Sequence, residues 1–347
     1  MTQGFRTRAT NALLGMAIAD AIGWPSMYHR SRALPAWTRR IRREMDAQRE
    51  DSGVLRVPMP FSLNQPPDAF DLFPTDDTEW SAWMMKNLVR DRCRVTTESV
   101  AESWLALAKH EESVRGWVST QTALENFRQG ALPPATGRDN PHYFDDGAVC
   151  RAIPIGAACS SSPEEAVRMA GLESAATNAE DGIWVAQAAA SAISVGCAGG
   201  SVDDVIHAAV RVLPEGSWSQ RIVTQALAAV DSDKTMIDLV PVLSSFVNVE
   251  YSDGCAGPET LAVSLAVVSA AKGSFTESLF GALAFAKCAD GVPPLVAALS
   301  GALASSNVIP NEWQKSLRSL RGLSIPSMAG CDLIALVEEF ITACEKR

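Results

Sequence analysis

Alanine, leucine and valine recur every three or four positions through most of this chain, as in "SVAESWLALAKHEESV", "DDVIHAAVRVL", "PETLAVSLAVVSAAK" and "CDLIALVEEFITAC". That spacing gathers apolar side chains on one face of a helix, whereas the period-two alternation of a half-buried strand is nearly absent. Start signals agree with the period. In "SPEEAVRMAG", Ser162 offers an N-cap, Pro163 the first helical position and Glu165 the third, with Gly171 as a stop. Ser274 and Glu277 repeat the capping-box spacing. The pattern predicts an all-α, compact, single-domain multi-helix bundle of about a dozen helices over residues 1–347. Several helices, such as "GIWVAQAAASAISVG", carry small side chains on more than one face and should lie at its centre. The segment 24–74 breaks the rhythm with repeated prolines and "PMPFSLNQPPDAFDLFP", which predicts an irregular flap.

Composition narrows the function classes. The 347 residues are 47 % hydrophobic and 20 % charged, a globular profile. A formal net charge of −10 argues against a nucleic-acid partner. The exception is a basic run containing Arg39, Arg40, Arg42 and Arg43, which reads as a solvated helix or a phosphate contact. No apolar run reaches the roughly 20 residues of a membrane span. Eight cysteines without a CxxC spacing, several inside alanine-rich runs, read as reduced and buried, so a cytoplasmic protein is expected.

Chemistry concentrates in acids. "LFPTDDTEW" sets Thr75, Asp76 and Asp77 at the start of an apolar helical run. One reading is capping: Asp76 accepts a free backbone N–H and Glu79 completes the box. The other is a hard-cation site, since two carboxylates and a hydroxyl offer oxygen ligands only, suited to Mg²⁺ or Mn²⁺. Further candidate acids are Asp20, Asp145, Asp146, Glu180, Asp181, Asp253 and Asp290. Cys150 sits beside Arg151 but has no histidine partner nearby, which argues against thiol catalysis.

These motifs, in this order, resemble the ADP-ribosylglycohydrolases. "GMAIADAIGWP", "TDDTEW", "FDDGAVCRAIPIG", "TNAEDGIWVAQAAASAI", "GPETLAVSLAVV" and "PPLVAALSGALA" are similar to successive family motifs over roughly residues 10–315. The resemblance implies an all-α fold with metal ions in a cleft and hydrolysis of an N- or O-glycosidic bond of an ADP-ribosyl or related riboside. It implies metal ligation by Thr75, Asp76 and Asp77, with Asp290 as the acid available near the family's C-terminal ligand motif. Catalysis is expected from Asp76, Asp77 and Asp146, and substrate contacts from Asp20, Asp145, Gly147 and Arg151. The partner would be a small-molecule riboside or an ADP-ribosylated substrate.

The departures are specific. A gap-free count places Val292, Pro294 and Leu295 where the family has Asp, Asp and Thr; Met27 replaces a glutamate, Asp146 an asparagine and Asn178 a histidine. One Mg²⁺ or Mn²⁺ ion, or none, is therefore expected rather than two. Two readings stay open: a hydrolase with a rearranged acidic site, or an inactive homologue that binds ADP-ribose or a nucleotide.

Overall fold

The computed structural model describes residues 4–28, 72–110, 114–248 and 255–347. In chain order the α-helices among them are α1 (Phe5–Tyr28), α2 (Asp76–Arg90), α3 (Thr97–His110), α4 (Val118–Arg128), α5 (Ala135–Arg138), α6 (Val149–Ala158), α7 (Pro163–Ser174) and α8 (Asp181–Ala198). The second half adds α9 (Val202–Val210), α10 (Trp218–Ala228), α11 (Met236–Ser244), α12 (Gly257–Ala270), α13 (Phe275–Ala282), α14 (Val292–Leu303), α15 (Asn311–Ser316) and α16 (Leu333–Glu345). Strand-like pairing among the described residues is limited to two isolated bridges, Asp145 with Ala256 and Ser319 with Asp332. Most of the expected irregular segment 24–74 lies outside the described residues, as does the basic run. Its first residues, to Tyr28, prolong α1.

The small-residue helices do occupy the centre. Every residue of α6, and α12 from Gly257 to Val268, is buried. Close approach explains the composition. A Cβ on Gly301 of α14 would stand 2.5 Å from the carbonyl oxygen of Asn11 in α1, and one on Gly15 would stand 3.0 Å from that of Ala297. Likewise a Cβ on Gly156 of α6 would lie 2.5 Å from the Ala190 carbonyl oxygen in α8. A larger side chain at any of these contacts would push two buried helices apart.

The start signals read from the sequence mark helix starts, but neither Ser162 nor Ser274 makes a side-chain cap. Helix α7 starts after Ser162 with Pro163 in its first turn, but it runs through Gly171 to Ser174. Gly171 serves packing instead, since a Cβ there would meet Gln187 Nε2 at 2.5 Å. Full capping boxes form at Ser201 with Asp204 and at Thr235 with Asp238.

Candidate active site

Helix α2 begins under the control of another helix. Asp20, 3 % exposed on α1, accepts the backbone N–H of Thr75 at 2.8 Å and of Thr78 at 3.2 Å. Both threonine hydroxyls also donate to its carboxylate. The cap is therefore supplied from 55 residues away, and Asp76 does not provide it. Glu79 does not complete a capping box either. Its carboxylate accepts the N–H groups of Leu323 at 2.8 Å, Ser324 at 2.7 Å and Ile325 at 3.1 Å. In this arrangement Asp20 positions α2, with Oδ2 accepting three bonds and Oδ1 one.

Relieved of capping, Asp76 and Asp77 stand at the helix start beside other acids. Asp76 Oδ1 is buried and has no hydrogen-bond partner. Burial raises the Asp76 pKa. For Asp77, burial and then the charges of Asp76, Asp20 and Asp146 push the carboxyl well above the usual range. Asp290, immediately before the Gly291 that precedes α14, is driven the same way by burial and then by Asp76, Asp77, Asp146 and Asp20. Its position two residues early in the motif does not remove it from the group, because α14 starts only at Val292. The residues where the family pattern has ligands, Val292, Pro294 and Leu295, are buried helix residues.

The segment before α6 delivers Asp146 from the other side. Asp146 N–H donates to Cys255 O at 3.3 Å, and Gly257 N–H to Phe144 O at 2.9 Å, so the chain ahead of α12 holds this turn. Thr260 Oγ1 donates to Asp146 Oδ2 at 2.6 Å. Burial raises the Asp146 carboxyl to about 7 against that hydrogen bond, with the charges of Asp145 and Asp76 adding to the rise. Asp20 is likewise raised to about 7, by burial and then by Asp76. The structure thus brings Asp20, Asp76, Asp77, Asp146 and Asp290 together from widely separated parts of the chain.

Other candidates belong to the supporting frame. Arg151 is fully buried; it donates to Glu173 Oε1, Gly147 O and Thr177 Oγ1, each at 2.7 Å. Its guanidinium carbon also lies 5.1 Å from the Trp104 ring centroid and 5.7 Å from that of Trp80. Three of its five N–H groups are used within the fold and the side chain is wholly buried, so in this arrangement it braces the frame, and the substrate contact expected for it is not seen. Gly147 donates its N–H to Asp145 Oδ1 at 3.2 Å, so its backbone also faces inward. Asp145 accepts a further bond from Asn178 Nδ2 at 3.0 Å, while its buried Oδ2 has no partner. Asp181 accepts from Ser219 N–H at 2.9 Å and ties α8 to α10. Glu180 is exposed, and Asp253 lies outside the described residues. Cys150 stays a thiol, because burial and then Asp77 push its pKa well up.

Two residues escaped the sequence reading. Thr260 holds Asp146, and its signal was its place in the "GPETL" motif. Gly291 leaves room for that carboxylate: a Cβ there would fall 2.1 Å from Asp146 Oδ2 and 3.0 Å from its Cγ. We expect Gly291→Ala to displace Asp146 and cut any hydrolytic rate by at least tenfold, with the fold retained by circular dichroism. A variant as active as the parent would show that Asp146 need not stay where it is.

Donor chemistry bears on a metal ion. The acids offer oxygen only, Asp76 keeps a buried unpartnered oxygen, and the leading charges acting on Asp77 and Asp290 are other carboxylates. Those features suit a hard cation. Yet among the described residues no three acidic, histidine or cysteine side chains stand close enough to enclose one as they are. The donor types suit such an ion, and the side chains would have to draw together to hold one. An open depression of about 710 Å³ between α3, α7 and α8, floored by Leu172 and Trp184, is lined by none of the clustered acids.

Comparison with known proteins places the fold. The family model described as ADP-ribosylglycohydrolase matches residues 1–347. A solved structure titled "ADP-ribosylglycohydrolase-related protein complex" superposes with a TM-score of 0.65 over 99 % of this chain and 99 % of that one, at 16 % identity. That likeness speaks for the fold alone. No curated protein matches the chain.

Proposed function

Because the chain belongs to the ADP-ribosylglycohydrolase family, we propose that it hydrolyses the N- or O-glycosidic bond of an ADP-ribosyl or related riboside at the five-acid cluster. The observation that carries this reading is the convergence of buried Asp146 and Asp290 on the half-buried Asp76 and Asp77, without a cationic partner among the leading charges. Such a group is costly in a fold that makes no use of it.

Asp146, with a pKa near 7, suits the general acid: its proton passes to the leaving nitrogen or oxygen as the bond to the anomeric carbon breaks. Water attacks that carbon and gives a proton to Asp77, whose raised pKa makes it the stronger base once ionised. Asp76 keeps negative charge near the positive charge developing on the sugar. Thr75, Asp76, Asp77 and Asp290 are the residues that would hold one Mg²⁺ or Mn²⁺ ion, which when bound supplies charge that orients ribose hydroxyls and favours ionised carboxylates. The Thr75 hydroxyl donates to Asp20 and still has a lone pair for such a contact.

The test is release of ribose or ADP-ribose from a panel of N- and O-ribosides, with and without EDTA. Turnover that EDTA reduces without eliminating is the expected result. The burial of Val292, Pro294 and Leu295 favours a second reading, an inactive homologue that binds ADP-ribose. No turnover together with tight ADP-ribose binding would decide for it.

A further inference from the structure

Away from the acids, three thiols meet where α2, α6 and α16 end. Cys93 Sγ lies 3.5 Å from Cys344 Sγ, and neither residue is exposed. Cys93 follows α2 in a left-handed turn with φ of 57°, while Cys344 sits in the last turn of α16. Cys159, just past α6, lies 3.2 Å from Arg347 Nη1 and 3.5 Å from Met169 Sδ. Arg347 also donates to Ala158 O at 3.1 Å and to Glu165 Oε1 at 3.2 Å, so its side chain closes over the group.

We propose that Cys93 and Cys344 form a reactive thiol pair that closes to a reversible disulfide, fastening the C-terminal helix to α2. The sulfurs need to approach by about 1.5 Å to reach bonding distance, a movement that side-chain rotation supplies once the last turn of α16 loosens. The two thiols have different parts. The hydrogen bond from Cys344, and then the charge of Arg347, lower the Cys93 pKa against its burial; Cys344 is raised by that same bond. Either sulfur can donate in this contact and the charge of Arg347 lowers both thiols; in the proposal Cys93 is the attacking thiolate and Cys344 the resolving thiol. With a peroxide as oxidant, Cys93 sulfur takes one peroxide oxygen, becoming a sulfenic acid and releasing hydroxide, which is protonated to water. Cys344 sulfur then attacks Cys93 sulfur; the S–O bond breaks, and the departing hydroxide takes the Cys344 proton as a second water. Two thiols and one hydrogen peroxide give one disulfide and two waters. A second buried pair, Cys255 with Cys288, differs in that their hydrogen bond and then burial push the Cys255 thiol well up, with no arginine acting on it; Cys197 is raised to about 12 by burial, and Cys150 well up by burial and then Asp77.

The experiment treats the full-length reduced protein with hydrogen peroxide and maps cross-links by mass spectrometry of non-reduced digests. The expected product has lost two hydrogens, joins the peptides containing Cys93 and Cys344, and reverts with dithiothreitol. Oxidation should raise the thermal midpoint by on the order of 5 °C, because the bridge closes a long loop. The gain should persist in Cys159→Ser and vanish in both Cys93→Ser and Cys344→Ser. A bridge to Cys159 instead, oxygen addition to Cys93 without a bridge, or an oxidised protein with an unchanged midpoint would each overturn the proposal. If Cys93→Ser fails to fold, Cys344→Ser with the peptide map of the parent still decides it.

Discussion

Asp77→Asn should abolish riboside cleavage and at the same time raise the thermal midpoint of the metal-free protein at neutral pH. Activity falls because the amide cannot take a proton from water. Stability rises because Asp77 is desolvated beside Asp76, Asp20 and Asp146, whose charges oppose its own. The pH dependence follows with a definite sign. Asp20 and Asp146 have folded pKa values raised from 3.8 to about 7, so between those values the folded state binds more protons than the unfolded. Stability is then full below about pH 4 as far as these groups are concerned, and it is lost as pH rises through 7. The metal-free parent should melt at falling temperature from pH 5 to pH 8, with a shallower slope in Asp77→Asn. Scanning calorimetry across that range checks both statements. An asparagine variant that melts several degrees lower, or retains cleavage, would leave the acids a purely structural part.

Replacing Arg151 should have the opposite character, a large loss of stability. Arg151→Met leaves the Glu173 carboxylate, 2 % exposed, without its cation and removes donors from Gly147 O and Thr177 Oγ1. Breaking one side of a buried pair costs about 3–5 kcal/mol. Denaturant unfolding should show that loss, and lysine should restore little, since its point charge cannot serve three acceptors in a planar fork. Adding Glu173→Met should recover part of the loss, because the uncompensated charge is then gone. A single variant within 1 kcal/mol of the parent would mean that the network is less coupled than its geometry implies.

Helix positions were legible because burial of a stripe is written into local spacing. The acids were legible as candidates for a different reason, their order along a family pattern. Direction was not legible. Nothing within "TDDTEW" shows that Asp20 caps this helix, or that Glu79 turns toward residues 323–325, because both partners are remote in sequence. Arg151 looked like a ligand contact for the same reason: adjacency to the acidic turn is visible, while Glu173 and Trp104 arrive only with packing. Gly291 was unreadable on its own, since a glycine before a helix has many uses and only the Asp146 carboxylate beside it shows which applies.

The two remote partners of α2 fix the order in which the protein can become functional. Asp20 binds the helix to the first segment of the polypeptide, and Glu79 binds it to residues 323–325. Contacts so distant in sequence carry a large loop-closure cost, and the Glu79 contact cannot form before residues 323–325 exist. During synthesis, a ribosome-bound chain that stops short of Leu323 has no donors for the Glu79 carboxylate. Its acidic helix then carries an unsatisfied charge at the very position that must be buried. Synthesis past Ile325 is in this sense a licensing step: shorter chains can carry every clustered acid, and lack the fastening of the helix that presents Asp76 and Asp77.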